Sequence, residues 1–81
     1  MKYILGKSKL LQFKCWLLKN KWIVCDNIQP CDVLTVRRNS RQYPLVISTT
    51  NHSKDYYGVH DRDVAVVNKF MRDLEMGRCH E

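Results

Sequence analysis

The clearest pattern in the chain is a helical one towards its end. Within residues 62–76, apolar residues recur at i, i+3, i+7 and i+10: Val64, Val67, Met71 and Leu74. This spacing places them on one face of an α-helix, where they can pack against a core. Asp61 stands at the expected N-cap, and Gly77 stands where helices commonly end in a left-handed conformation. We therefore predict an α-helix over residues 62–76.

Residues 8–20 carry a weaker helical pattern. Ser8 can serve as an N-cap, and neither Gly nor Pro interrupts the segment. On a helical wheel the apolar residues form an arc around Phe13 and Leu17, although lysines interrupt it. The segment from Leu11 to Leu17 also alternates as a β-strand would. Both interpretations are open, and we favour the helix.

Four short runs between these segments are rich in β-branched or aromatic residues: 22–25, 32–38, 43–48 and 56–59. Asn39 and Ser40 are turn formers and predict a hairpin between the second and third runs. Pro44 lacks an N–H group, which suits the start of a strand or a sheet edge.

The predicted order of elements is α–β–β–β–β–α, or α–β–β–β–α if residues 22–25 only lead into the sheet. Strands joined by hairpins form an antiparallel sheet, and helices must cover at least one of its faces. We therefore predict an α+β fold with a three- to four-stranded antiparallel sheet and both helices on one face. The chain shows no linker or repeat, so residues 1–81 are predicted to form a single small domain.

The positive charge is concentrated in the first quarter of the chain. The protein has 14 Lys and Arg against eight Asp and Glu, a formal net charge of +6. The first 21 residues contain no acid and six lysines: Lys2, Lys7, Lys9, Lys14, Lys19 and Lys21. The other residues carry eight basic and eight acidic side chains. Such a segment favours a polyanionic partner, although a small domain also gains solubility from net charge.

Two groups of side chains are candidates for contact with nucleic acid or another partner. One is the lysine-rich segment with its tryptophan, and the other is the predicted arginine hairpin. The candidate residues are Lys7, Lys9, Lys14, Trp16, Lys19, Lys21, Arg37, Arg38 and Arg41. Lysines neutralise phosphates, arginines contact guanine, and an outward-facing Trp16 could stack on a base. The structural alternatives are a solvated turn for the arginines and core packing for Trp16.

Several classes of protein are not supported by the residues. Lysines interrupt every apolar run near the start, so neither a signal peptide nor a membrane span is predicted. Cys25 and Cys31 are too far apart for paired zinc ligands, and the adjacent Cys79 and His80 do not form such a pair. We predict free thiols, a cytoplasmic location and no metal or cofactor.

Residues 17–24 resemble the opening of HicA-type toxins, which cleave messenger RNA with a histidine and have a double-stranded-RNA-binding-like α–β–β–β–α fold. The resemblance implies such a fold, but this chain lacks the Gly-Ser-His element of that family. His52 and His60 lie near Asp55 and Asp61 in sequence, and such pairs can supply an acid and a base. A capping role for Asp61 explains that residue without catalysis.

Two further resemblances concern origin and architecture. Residues 30–34 and 59–73 are similar to small phage-encoded proteins, a resemblance that implies no activity. Three strands followed by a helix also resemble the plant ethylene-response and integrase N-terminal domains, which contact DNA with sheet arginines. We predict a basic, non-enzymatic protein, encoded by a phage or mobile element, that binds DNA or RNA. The alternatives are an inhibitor that binds an acidic host protein, and a HicA-like ribonuclease; a homodimer is open.

Overall fold

The computed structural model describes residues 1–77, which contain five strands and two α-helices. In chain order these are β1 (Lys2–Gly6), α1 (Leu10–Lys19), β2 (Ile23–Cys25), β3 (Asp32–Arg37), β4 (Leu45–Ser48), β5 (Tyr56–Val59) and α2 (Val64–Glu75). One turn of 3-10 helix precedes each α-helix, at Lys7–Lys9 and Asp61–Asp63. The α+β class and both predicted helices are confirmed.

The strands form one antiparallel sheet in the order β1-β5-β4-β3-β2. The predicted hairpin is present as β3 and β4, with Val36 opposite Leu45 and Pro44 just before β4. Residues 22–25 do contribute a strand, β2, at one edge of the sheet.

The strand β1 at the other edge was not predicted from the sequence. It begins with Lys2 and ends with Gly6, both poor strand formers. Its register with β5 shifts between Tyr3 and Leu5, so the side chains do not keep a simple alternation. The central residues Tyr3, Ile4 and Leu5 are apolar but do not alternate with polar residues, so the strand is defined mainly by its pairing with β5.

One hydrophobic core lies between the helices and a single face of the sheet. Its buried members come from both helices, from the strands and from the connection between α1 and β2: Leu5, Phe13, Trp16, Leu17, Trp22, Leu34, Val36, Leu45, Ile47, Val59, Val67 and Phe70. The helices touch each other through Phe13 and Phe70, whose ring centroids are 5.0 Å apart. Both helices thus lie on one face of the sheet, as predicted.

The helix α1 ends in a Schellman motif whose left-handed residue is a lysine. Lys21 has φ 71°, and its N–H donates to the carbonyl of Leu18 at 3.3 Å. The N–H of Trp22 donates to the carbonyl of Leu17 at 3.0 Å, and both side chains are buried together in the core. Gly77 takes the equivalent position after α2, as predicted, with φ 72°.

The entry into α2 differs from the prediction. Because a 3-10 turn begins at Asp61, the capping position falls on His60, whose Nδ1 accepts a hydrogen bond from the N–H of Arg62. Asp61 instead lies 3.1 Å from the amino group of Met1. That ammonium group donates a hydrogen bond to the carboxylate and lowers the pKa of Asp61. Asp61 is therefore not the N-cap.

Candidate nucleic-acid interface

The structure distributes the predicted lysines along the length of α1. Lys7 and Lys9 lie in the turn before the helix, whereas Lys19 and Lys21 lie at its other end. About 15 Å of helix axis separates Lys9 from Lys19. Lys14 lies between them and is half-buried. The lysines of this segment therefore do not converge on one point.

Most of these lysines have no carboxylate partner among the described residues. The two salt bridges found in residues 1–77 join the Met1 amino group to Asp61 and Arg41 to Asp63. Lys7 lies over the ring of Tyr57, at 5.6 Å from its centroid, a contact that leaves its charge in place. The positive charge of the segment is thus not cancelled by ion pairs to Lys7, Lys9, Lys14 or Lys21.

Trp16 does not face outward, so the prediction that it contacts nucleic acid or another partner was wrong. Its side chain is only 6% exposed, and its Nε1 donates a hydrogen bond to Asp73 Oδ2 at 3.0 Å. The buried arc of α1 is wider than the sheet-facing residues alone require, because α2 packs beside them through Phe70. A wheel drawn for one helix does not include that neighbour. Trp16 is therefore part of the core and is not available to stack on a base.

The three predicted arginines do come together, around the loop of residues 38–44. They line a shallow cavity of about 300 Å³ beside β2, together with Ile23, Cys25 and Asn39. They also line a second cavity of about 290 Å³, together with Ile28, Gln42, Tyr43 and Pro44. No acidic side chain lines either cavity. Arginine is thus the only charged residue type that lines these two cavities.

Arg41 differs from the other two arginines because its side chain forms an ion pair with a buried residue of the same chain. Its guanidinium pairs with Asp63, whose side chain is 1% exposed, and lies 5.3 Å from the Trp22 ring centroid. Arg41 Nη1 and Asp63 Oδ2 are buried without a hydrogen-bond partner. Arg41 therefore anchors the loop to the start of α2, and we remove it from the predicted contact residues.

Arg37, Arg38 and Lys21 form what we call the arginine-loop surface. All three are exposed. Arg37 pairs in register with Ile23, two residues after Lys21, and the Arg38 guanidinium lies 5.7 Å from the ring centroid of Trp22. Two segments that are distant in sequence therefore meet at one end of the β2–β3 pair. All three residues were predicted contact residues, but Lys21 was grouped with the lysines because the sequence does not give the strand register.

The other candidate chemistry is dispersed in the described part of the chain. His52 lies beside Tyr3, with ring centroids 5.7 Å apart, whereas His60 caps the turn before α2. Within residues 1–77, no group of three or more His, Cys, Asp or Glu could hold a metal ion. Cys15, Cys25 and Cys31 are free thiols. Cys79 and His80 lie outside the described residues.

Neither helix of the described region is long and apolar enough to cross a membrane.

Comparison with protein-family models, curated proteins and solved structures found no match to this chain. The resemblances to HicA-type toxins and to small phage-encoded proteins therefore stay predictions.

Proposed function

We propose that this protein binds DNA or RNA through the arginine-loop surface and is not an enzyme. The observation that carries the proposal is the position of Arg37 and Arg38, which are exposed beside two cavities that no carboxylate lines. Guanidinium groups donate paired hydrogen bonds to phosphate or to guanine. Neutralising phosphates also releases counterions, which is the main source of affinity for a polyanion.

The backbone of Lys21 supports the same assignment. A left-handed conformation costs an L-residue about 1 kcal/mol or more, and glycine would avoid that cost. The residue at this position is instead an exposed lysine, two positions before Ile23, which pairs in register with Arg37. Strained residues of this kind are often found at functional sites. On this proposal, the strain at Lys21 is tolerated because its charge contributes to binding.

A salt titration tests the proposal. Binding to fluorescent duplex DNA and to single-stranded RNA is measured by anisotropy between about 50 and about 200 mM salt. For duplex DNA, the slope of log K against log salt is about −0.9 for each phosphate neutralised. We expect the Arg37→Ala/Arg38→Ala variant to bind more weakly and to have a slope shallower by about two units. The nucleic acid that is bound with the higher affinity shows whether the protein prefers DNA or RNA.

The matched control removes two positive charges elsewhere. Lys69 and Arg72 are exposed on α2 and line neither of the two arginine cavities. The Lys69→Ala/Arg72→Ala variant has the same net charge as the test variant, so a non-specific charge effect would weaken both equally. We expect the control to retain most of the affinity and the slope of the wild type. Equal losses in both variants, or no binding at about 50 mM salt, would contradict the proposal.

A further inference from the structure

The outward face of α1 carries apolar residues that the core does not use. Leu11 is 65% exposed and Leu18 is 49% exposed, with the half-buried Cys15 between them. Their spacing of i, i+4 and i+7 places them on one face of the helix. The buried residues of α1 lie on the opposite side: Phe13, Trp16 and Leu17. We call Leu11, Cys15 and Leu18 the outer stripe.

Lysines border the outer stripe on both sides. With 3.6 residues per turn, Lys14 and Lys19 lie about 70° to either side of its centre. Residues 1–21 contain no acid. An apolar seam with charged residues along both edges is the arrangement by which coiled-coil helices select their partners.

We propose that the outer stripe binds an acidic amphipathic helix of another protein. Leucine-type residues of that helix would cover Leu11 and Leu18, while its flanking Asp and Glu residues would pair with the bordering lysines. Opposite charges across the contact favour this partner and increase its association rate. A second copy of the chain fits poorly, because lysines would then face lysines.

The width of the stripe also favours a protein helix over a lipid surface. Three residues on a helix of 10 residues form a narrow seam about 10 Å long. Helices that lie in a membrane interface have a broader apolar face, commonly with Trp or Phe. The tryptophan of α1 is buried against α2 and does not belong to this face. A membrane is therefore the alternative that the experiment must distinguish.

The outer stripe shares no residue with the arginine-loop surface, so binding of a helix and binding of nucleic acid can be tested separately. The test uses the full chain and a displayed library of helical peptides of about 14 residues. In the library, Leu is fixed at heptad positions a and d, and the flanking heptad positions e and g are randomised. We expect selection to enrich Asp and Glu at e and g. The most enriched peptide is then synthesised, and its affinity is measured by anisotropy.

The variant Leu11→Ser/Leu18→Ser should weaken binding of that peptide by about tenfold or more, and Lys14→Glu should also weaken it. Ile28→Ser is the matched control, because Ile28 is 83% exposed and lies outside α1. All the substituted side chains are at least partly exposed, and unchanged circular dichroism would show that each variant folds. The leucine variant should still bind nucleic acid, so failure of one proposal is distinguishable from failure of the other.

Three results would overturn the proposal. The first is a selection that enriches no acidic residues, or a peptide that binds the leucine variant as well as the wild type. The second is a wild-type dimer in sedimentation velocity that the leucine variant converts to a monomer, which assigns the stripe to a second copy. The third is binding to phosphatidylserine vesicles that the leucine variant loses, which assigns the stripe to lipid.

Discussion

Arg41 and Asp63 connect the arginine loop to the core through a nearly buried ion pair. Breaking such a pair by removing one partner costs about 3–5 kcal/mol, because the remaining charge stays desolvated. The side chain of Asp63 is almost fully buried, so Arg41→Ala leaves its carboxylate without a counter-charge. We expect Arg41→Ala to lower the free energy of unfolding by about 3 kcal/mol, measured by urea denaturation.

Arg38→Ala is the control for this prediction. It removes the same charge from the same loop, and Arg38 also lies over the Trp22 ring. Because Arg38 is exposed, its loss should cost no more than about 1 kcal/mol, the value of an exposed cation–π contact. If both substitutions destabilise the protein equally, Arg41 does not have the structural role assigned to it.

This pair also shows where prediction from the sequence stops at the scale of residues. Arg41 and Asp63 are separated by 22 positions and lie in different elements. Neither has a local pattern that would mark it as buried, and an arginine in a hairpin is ordinarily exposed. The residue types therefore indicated a basic loop correctly, but they did not distinguish the buried Arg41 from the exposed Arg37 and Arg38. Only the packing of the loop against the start of α2 does so.

At the scale of elements, local pattern explains which predictions were confirmed. The helix α2 has a clear period, and β3 and β4 have turn formers between them, so both were predicted from sequence alone. The strand β1 was missed because its irregular register removes the alternation that identifies a strand. Trp16 was misplaced because its environment depends on α2, a helix remote in sequence.

The end of α1 provides a test of strain and function at one position. Lys21→Gly removes the β-carbon from a residue with φ 71°, and should raise the free energy of unfolding by about 0.5–1 kcal/mol. Glycine also increases the conformational entropy of the unfolded chain, and this offsets part of the gain in stability. The same substitution removes a charge from the arginine-loop surface, so binding to DNA should weaken. Urea denaturation and the salt titration measure the two effects.

Lys21→Ala separates these effects, because alanine removes the charge and retains the β-carbon. We expect this variant to lose affinity without gaining stability. A Lys21→Gly protein that is stabilised and binds DNA as well as the wild type would exclude Lys21 from the interface. A Lys21→Gly protein that is not stabilised would show that the strain at Lys21 does not exceed the entropy that glycine adds to the unfolded chain.

At the scale of the whole molecule, the two proposed surfaces use positive charge in different ways. The arginine-loop surface places exposed cations at the β2–β3 end of the sheet, beside cavities without carboxylates. The outer stripe instead places lysines at the borders of apolar side chains. The first arrangement suits a uniform polyanion, whereas the second suits a partner that has both apolar and acidic groups. Net charge alone does not distinguish these two kinds of partner.

The dimensions of the molecule limit how much nucleic acid one chain can contact. Its Cα atoms extend over 31 × 28 × 20 Å, and the longest axis corresponds to about nine base pairs at 3.4 Å each. We therefore expect the affinity per chain to be higher for a hairpin-closed duplex of about 10 base pairs than for one of about 6. A further increase in length to about 20 base pairs should change the affinity per chain little. Anisotropy at a single salt concentration measures this series.

The stoichiometry gives the second readout of the same series. A duplex of about 20 base pairs should accept two chains independently, since each chain covers at most about nine base pairs. The Arg37→Ala/Arg38→Ala variant should show a smaller dependence of affinity on length, because it contacts fewer phosphates. An affinity per chain that keeps rising beyond about 20 base pairs would contradict a single-chain interface, because that behaviour requires contacts between neighbouring bound chains.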